Sequence, residues 1–149
     1  MKNTLSVEHI FDRNRDWLFA FTQDFAERKK WDKQTKSMKF LNGFSTLEKG
    51  AQVYTESIEG IRMDTEYLSF DAPNKISIRM LNRSSLFSLF IGTWHYIQLA
   101  EDRTSLKITY QFSLRFPFIL IKKLVSRRIK ANITKKLTDL EIHLSKLTS

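Results

Sequence analysis

The residues with the widest chemical range in this 149-residue chain are its three histidines, His9, His95 and His143. No two of them stand at metal-ligand spacing, and no Asp or Glu completes a known ligand motif beside them, so no metal is expected. Cysteine is absent, which removes thiolate sites, disulfides and cysteine nucleophiles and fits a reducing cytoplasm. Glycine-rich phosphate loops and nucleophile elbows are missing too, and no cofactor is expected. His95 is the candidate that remains. A turn at about Glu101–Thr104 sets Leu99 opposite Leu106, Ile97 opposite Ile108, His95 opposite Tyr110 and Thr93 opposite Phe112, all eight on one face. His95 is then either a buried neutral histidine bonded to its neighbour, or a polar anchor in a ligand cavity with Tyr110 and Thr93. The same trio can serve acid–base chemistry, with Glu66 or Asp64 as a carboxylate partner.

Those side chains need a sheet to carry them. Alternation and turn residues predict strands over Leu5–Phe11, Lys36–Asn42, Ala51–Glu59, Arg62–Phe70, Lys75–Leu81, Phe87–Ala100 and Ser105–Arg115. Two short helices, about Arg15–Thr22 and Phe25–Trp31, follow the first strand, the former capped by Asp12 or Asn14. Ile76, Ile78 and Met80 alternate with more polar neighbours and are expected to face inward. Arg62–Phe70 admits two registers: one buries Leu68 and Phe70 and brings Asp64 and Glu66 inward, the other buries Met63 and Tyr67. Trp94 and Tyr96 fall opposite the apolar face, beside Lys107, Thr109, Gln111 and Ser113; they cover the outer face or pack against the short helices. Gly92 marks a bulge or a close backbone approach.

The most regular signal is the end of the chain, Pro117–Leu147, which predicts one long helix. Val125, Ile129, Ile133, Leu137, Leu140, Leu144 and Leu147 fall in a band roughly 120° wide. Lys122, Ser126 and Lys136 intrude into that band. Such lysines either snorkel at an end or, where the band lines a cavity, Lys122 and Ser126 meet a carboxylate or phosphate head group at its mouth. Leu120 and Leu124 lie on the opposite face among Lys123, Arg127 and Arg128, a combination that suits an anionic membrane surface or an oligomer interface.

Charge reinforces that placement. The net charge is +9, and between Asp102 and Asp139 ten basic residues stand with no acidic one. The positive field is therefore local to the last strand and the first half of the final helix. It is either a solvated face or a site for an anionic partner. A nucleic-acid role would use this window with Trp94 and Tyr96 as stacking surfaces, but no recognised motif accompanies them. Neither a signal peptide nor a transmembrane helix is expected: MKNTLSVEHIF has no apolar core, and runs such as Phe116–Ile121 are too short to span a bilayer. With four Gly, two Pro and no repeat, one domain over residues 1–149 is expected.

The order strand, two short helices, six strands, long helix resembles the START-like, Bet v 1-like (SRPBCC) superfamily, which includes polyketide cyclase/dehydrase and lipid-transport proteins. Three stretches carry the resemblance: Trp17–Asp24 with Lys30-Trp31-Asp32, Leu41-Asn42-Gly43 with Lys49-Gly50, and Ser69–Ile76 with its proline turn. The resemblance implies an α+β helix-grip fold, in which a curved antiparallel sheet of about seven strands wraps the C-terminal helix around an apolar cavity. It implies binding or transport of a hydrophobic small molecule or lipid, with an anionic head group suggested by the basic residues. The expected walls are Ile78, Met80, Thr93, His95, Ile97, Ile108, Tyr110, Phe112, Ile129 and Ile133, with Lys122 and Ser126 at the mouth. Leu120, Lys123, Leu124, Arg127 and Arg128 would contact a membrane or partner. A cyclase/dehydratase-type enzyme using the same cavity is the alternative. Location in the cytoplasm, at the membrane periphery, follows; the oligomeric state stays open.

Overall fold

The computed structural model describes residues 2–147. The elements are β1 (Asn3–Phe11), α1 (Arg15–Gln23), α2 (Phe25–Trp31), β2 (Thr35–Phe40), β3 (Gln52–Ser57), β4 (Arg62–Asp71), β5 (Lys75–Met80), β6 (Phe87–Ala100), β7 (Arg103–Leu114), a 3₁₀ turn (Phe118–Ile121) and α3 (Lys122–Leu147). The seven strands form one antiparallel sheet in the order β1-β7-β6-β5-β4-β3-β2. This is the helix-grip arrangement.

Local chemistry sets the short helices. Asn14 Oδ1 accepts from the backbone N–H groups of Asp16 and Trp17 and starts α1. Asp24 ends α1 and caps α2 in turn, accepting from Ala26 and Glu27. One acidic residue thus makes the corner between the two helices. Along α3, Ile129, Ile133, Leu137, Leu140 and Leu144 are buried and Val125 packs at the core's edge, while Leu147 is exposed.

The register of the last two strands differs from the sequence expectation. A two-residue turn, Glu101-Asp102, pairs Ala100 with Arg103; by itself it would leave His95 facing inward. A bulge between Gln98 and Ala100 then moves the pairing to Gln98–Thr104, and onward to Trp94–Ile108 and Gly92–Tyr110. One extra residue on one strand turns every side chain beyond it to the other face. Thr93, His95 and Ile97 therefore point outward, paired with Thr109, Lys107 and Ser105. Trp94 and Tyr96 take the inner face, both almost fully buried.

Tyr96 reaches the short helices. Its hydroxyl bonds Thr22 Oγ1 at 2.6 Å and accepts from Gln23 Nε2 at 2.9 Å. The ring of Phe19 packs edge-on against it. A second bulge, between Tyr67 and Ser69, settles β4: Thr65 and Tyr67 are buried on one side of it, and Phe70 packs against the core on the other. Asp64 and Glu66 take the opposite alternation, and Glu66 pairs with Arg79 at 2.9 Å.

This register has a measurable consequence. Tyr96→Phe leaves the buried Gln23 Nε2 without its acceptor and takes one of the bonds of Thr22, and is expected to lower unfolding free energy by about 1–3 kcal/mol. His95→Ala, on the exposed face, is expected to stay within about 0.5 kcal/mol of the parent. Urea titrations in which His95→Ala is the more damaging change would contradict the register.

Candidate functional site

A cleft of about 360 Å³ opens between the inner faces of β2–β7, the side of α2 and the middle of α3. Its walls are largely apolar: Met38, Val53, Ile76, Ile78, Phe90 and Trp94, with Tyr67 and Tyr110 among them. Ile58 and Ile61, at the β3–β4 hairpin, form its exposed lip. Arg128 of α3 meets Glu59 of that hairpin at 3.3 Å across the mouth. Both partners are exposed, so the pair adds little stability. Tyr110 lies over Gly92; a Cβ there would stand 3.0 Å from its ring. The missing side chain makes room for the phenol beside the cleft.

The floor is charged. Asp32, at the end of α2, has a fully buried carboxylate. Its Oδ2 accepts from Arg28 Nε at 2.7 Å, Lys136 Nζ at 2.7 Å and Thr35 Oγ1 at 2.9 Å, and its Oδ1 accepts from the Gln34 amide. The Arg28 guanidinium sits over the rings of Trp31 and Trp94, 5.2 and 4.8 Å from their centroids, within cation–π range. Arg28, Lys136 and Trp94 all line the cleft.

Titration behaviour follows from two cations sharing one anion. Burial alone would raise the Asp32 carboxyl; the charges of Lys136 and Arg28, with their hydrogen bonds, outweigh it and hold the group well below the usual carboxylate range. Burial also works against charge on Arg28, but Asp32 more than compensates and the guanidinium stays ionised. Lys136 fares worse. Burial, then repulsion from Arg28, pushes its ammonium below the ordinary lysine value despite Asp32. The second cation is under-compensated. Burial pushes the Tyr67 and Tyr110 phenols up to about 12, against the opposing charge of Arg28, so both remain protonated at neutral pH.

Of the residues expected to line a cavity, Ile78 and Tyr110 do so. Ile108, Phe112, Ile129 and Ile133 are buried in the core rather than along the cleft, and Met80 is half-buried outside it. Thr93, His95 and Ile97 are on the outer face because of the β6 bulge. The proposed acid–base set of His95 and Tyr110 with Asp64 or Glu66 is consequently not assembled. Lys122 and Ser126 sit at the start of α3, whereas the helix contributes Asn132, Lys135 and Lys136 to the cleft. Trp94 and Tyr96 are buried and unable to stack on bases.

Sequence reasoning missed Arg28 and Asp32 as site residues. Their spacing of four on a helix was the available signal, and Lys136 in the apolar band was the other half of it.

No protein-family model matches the sequence, and no curated protein does so either. Solved structures do match in shape. The Zhui aromatase/cyclase from Streptomyces sp. R1128 superposes with a TM-score of 0.84 at 13% identity, over 100% of this chain and 97% of that one. A START superfamily protein from Mycobacterium smegmatis gives 0.73 at 16% identity, over 95% and 98%. This chain has the START-like fold. It spans 48% of the di-domain aromatase/cyclase BexL of the BE-7585A pathway, with 99% of its own length matched at 11% identity and a TM-score of 0.82. Norcoclaurine synthase from Thalictrum flavum, solved with dopamine and hydroxybenzaldehyde, matches at 0.68 and 10% identity, over 96% of this chain and 88% of that one.

Within this START-like fold the turn into α3 leaves apolar side chains in the open. Phe116, Leu120 and Leu124 are 77%, 75% and 62% exposed, and Lys123 and Arg127 beside them are exposed as well. None of the helices described is long and apolar enough to cross a membrane.

The charged floor generates a stability prediction. Asp32→Asn leaves two buried cations without a counter-charge and is expected to destabilise the protein by about 3–5 kcal/mol. Adding Lys136→Met to that variant removes one stranded charge and should restore part of the loss. Because the folded carboxyl is depressed, the wild-type contribution is present above the unfolded-state value of about 3.9 and disappears only as pH falls through the lower folded value. Equal stability of Asp32→Asn and wild type in denaturant titrations at neutral pH would contradict the ion cluster.

Proposed function

We propose that this chain is a binding or carrier protein for a hydrophobic small molecule with an anionic end, held in the cleft between sheet and α3. The observation that carries this reading is the cleft itself: about 360 Å³ of space with apolar and aromatic walls over a charged floor. Small-molecule sites commonly combine mostly apolar walls with a few convergent polar groups. Norcoclaurine synthase, which shares this fold, was solved with dopamine and hydroxybenzaldehyde, and that supports a small organic ligand here. Binding without catalysis is favoured because His95 stands on the outer face and Glu66 is engaged with Arg79.

The protein acts in the cytoplasm at an anionic membrane surface. The exposed Phe116, Leu120 and Leu124, flanked by Lys123 and Arg127, support that docking: apolar side chains enter the interface while basic ones meet anionic head groups.

Two readouts test the reading. Native mass spectrometry of protein purified from its own host, followed by organic extraction, should show a co-purifying apolar molecule; repeatedly empty protein would contradict ligand carriage. Flotation with phosphatidylcholine vesicles carrying about a third phosphatidylglycerol should recover the wild type. The Leu120→Glu, Leu124→Glu variant should stay behind, and equal recovery of both proteins would contradict the docking surface.

A further inference from the structure

Arg28 spends only part of its hydrogen-bonding capacity. Its Nε–H donates to Asp32, while its two terminal amino groups donate to no residue among those described. The guanidinium is not free to swing elsewhere, since the Trp31 and Trp94 rings and the Asp32 bond fix its plane. Its side chain is 14% exposed, and Arg28 lines the cleft. A clamped guanidinium that lines a cavity and keeps its two terminal amino groups unbonded is a preformed fork for two parallel hydrogen bonds.

The surrounding charges leave that fork without a protein partner. Asp32 already serves Arg28, Lys136, Thr35 and Gln34. Asp139 is taken by Lys135, with both oxygens 3.3 Å from its Nζ. Glu59 faces Arg128 at the mouth, and Glu56 at the rim accepts from Tyr54. Tyr110 lines the same space, and its hydroxyl makes no hydrogen bond among the described residues.

We propose that the Arg28 fork, with the Tyr110 hydroxyl lining the same cleft, takes the carboxylate of a small hydrophobic acid. This rests on the ligand-binding reading above and narrows it. A carboxylate matches a planar fork with two bonds and supplies the missing counter-charge for the Arg28–Lys136 pair. The phenol remains protonated at neutral pH and can donate a third bond. The size of the cleft adds a second restriction. At about 360 Å³ it lies near the lower end of the roughly 300–1,000 Å³ range of small-molecule sites, which suits one compact, ring-bearing acid against Phe90 and Trp94 and not a two-chain lipid.

The test is displacement of the neutral fluorophore N-phenyl-1-naphthylamine at neutral pH by three matched probes: naphthalene-2-carboxylate, naphthalene-2-carboxamide and 2-naphthyl phosphate. The carboxylate should bind at least about tenfold tighter than the amide and tighter than the phosphate. Arg28→Lys keeps the charge but loses the fork, and should remove most of that preference, weakening the amide far less than the carboxylate. Tyr110→Phe, which keeps the ring over Gly92, should weaken the carboxylate several-fold and the amide less, and it decides the matter should Arg28→Lys fail to fold. Equal displacement by acid and amide, equal weakening of both by these substitutions, or preference for the phosphate would overturn the proposal while leaving the cleft a ligand site. Failure of the fluorophore and all three probes to bind would overturn both readings.

Discussion

Two cations and one carboxylate meet where α2, α3 and the start of β2 converge. Asp32 is the last turn's product of α2, Lys136 arrives from 104 residues away on α3, and Thr35 belongs to β2. Removing such groups from water is costly, and the cost is repaid only where geometry and additional hydrogen bonds are good. Here both carboxylate oxygens are occupied and both strong bonds are 2.7 Å long. The cluster thereby fixes the position of the long helix relative to the short ones. The sheet's inner face, gripped by those helices, depends on that spacing.

The same cluster explains why apolar packing stops short of filling the interior. The Tyr96–Thr22–Gln23 bonds close the far side of the core, where these three side chains partner one another. At the floor of the cleft, Arg28 has donors to spare and Lys136 is under-compensated. Packing aliphatic side chains against those groups would strand them. The interior must stay open there to water or to an oxyanion. Space, apolar walls and residual positive charge are in that sense consequences of one arrangement: two basic side chains were brought to a single acidic one.

Much of this fold was legible in the sequence because periodicity reports which face of an element is buried. The band on α3 picked out Ile129 through Leu144, and β7 was phased correctly from Leu106, Ile108, Tyr110 and Phe112. The outward placement of Leu120 and Leu124 followed from the same wheel. What failed was parity. Ile97 and Leu99 are apolar and lie outward, so alternation favoured the wrong face for β6, and a single bulged residue carries no clear sequence mark. The β4 bulge likewise made two competing registers each true for part of the strand. The ion cluster escaped for another reason: it joins residues far apart in sequence, so Arg28 and Asp32 read as surface charges and Lys136, though marked by its place in the apolar band, had no visible partner.

Intermolecular nuclear Overhauser effects between naphthalene-2-carboxylate and the methyl-labelled, Trp-labelled protein test the location of the site most directly. Cross-peaks from the ligand ring to the Ile78 methyls and the Trp94 indole are expected, with the Arg28 Nε–H resonance shifting over the same titration. Cross-peaks confined to Ile97 and Leu99 on the outer face, or to Leu120 and Leu124 at the start of α3, would contradict a ligand site between the sheet and the long helix.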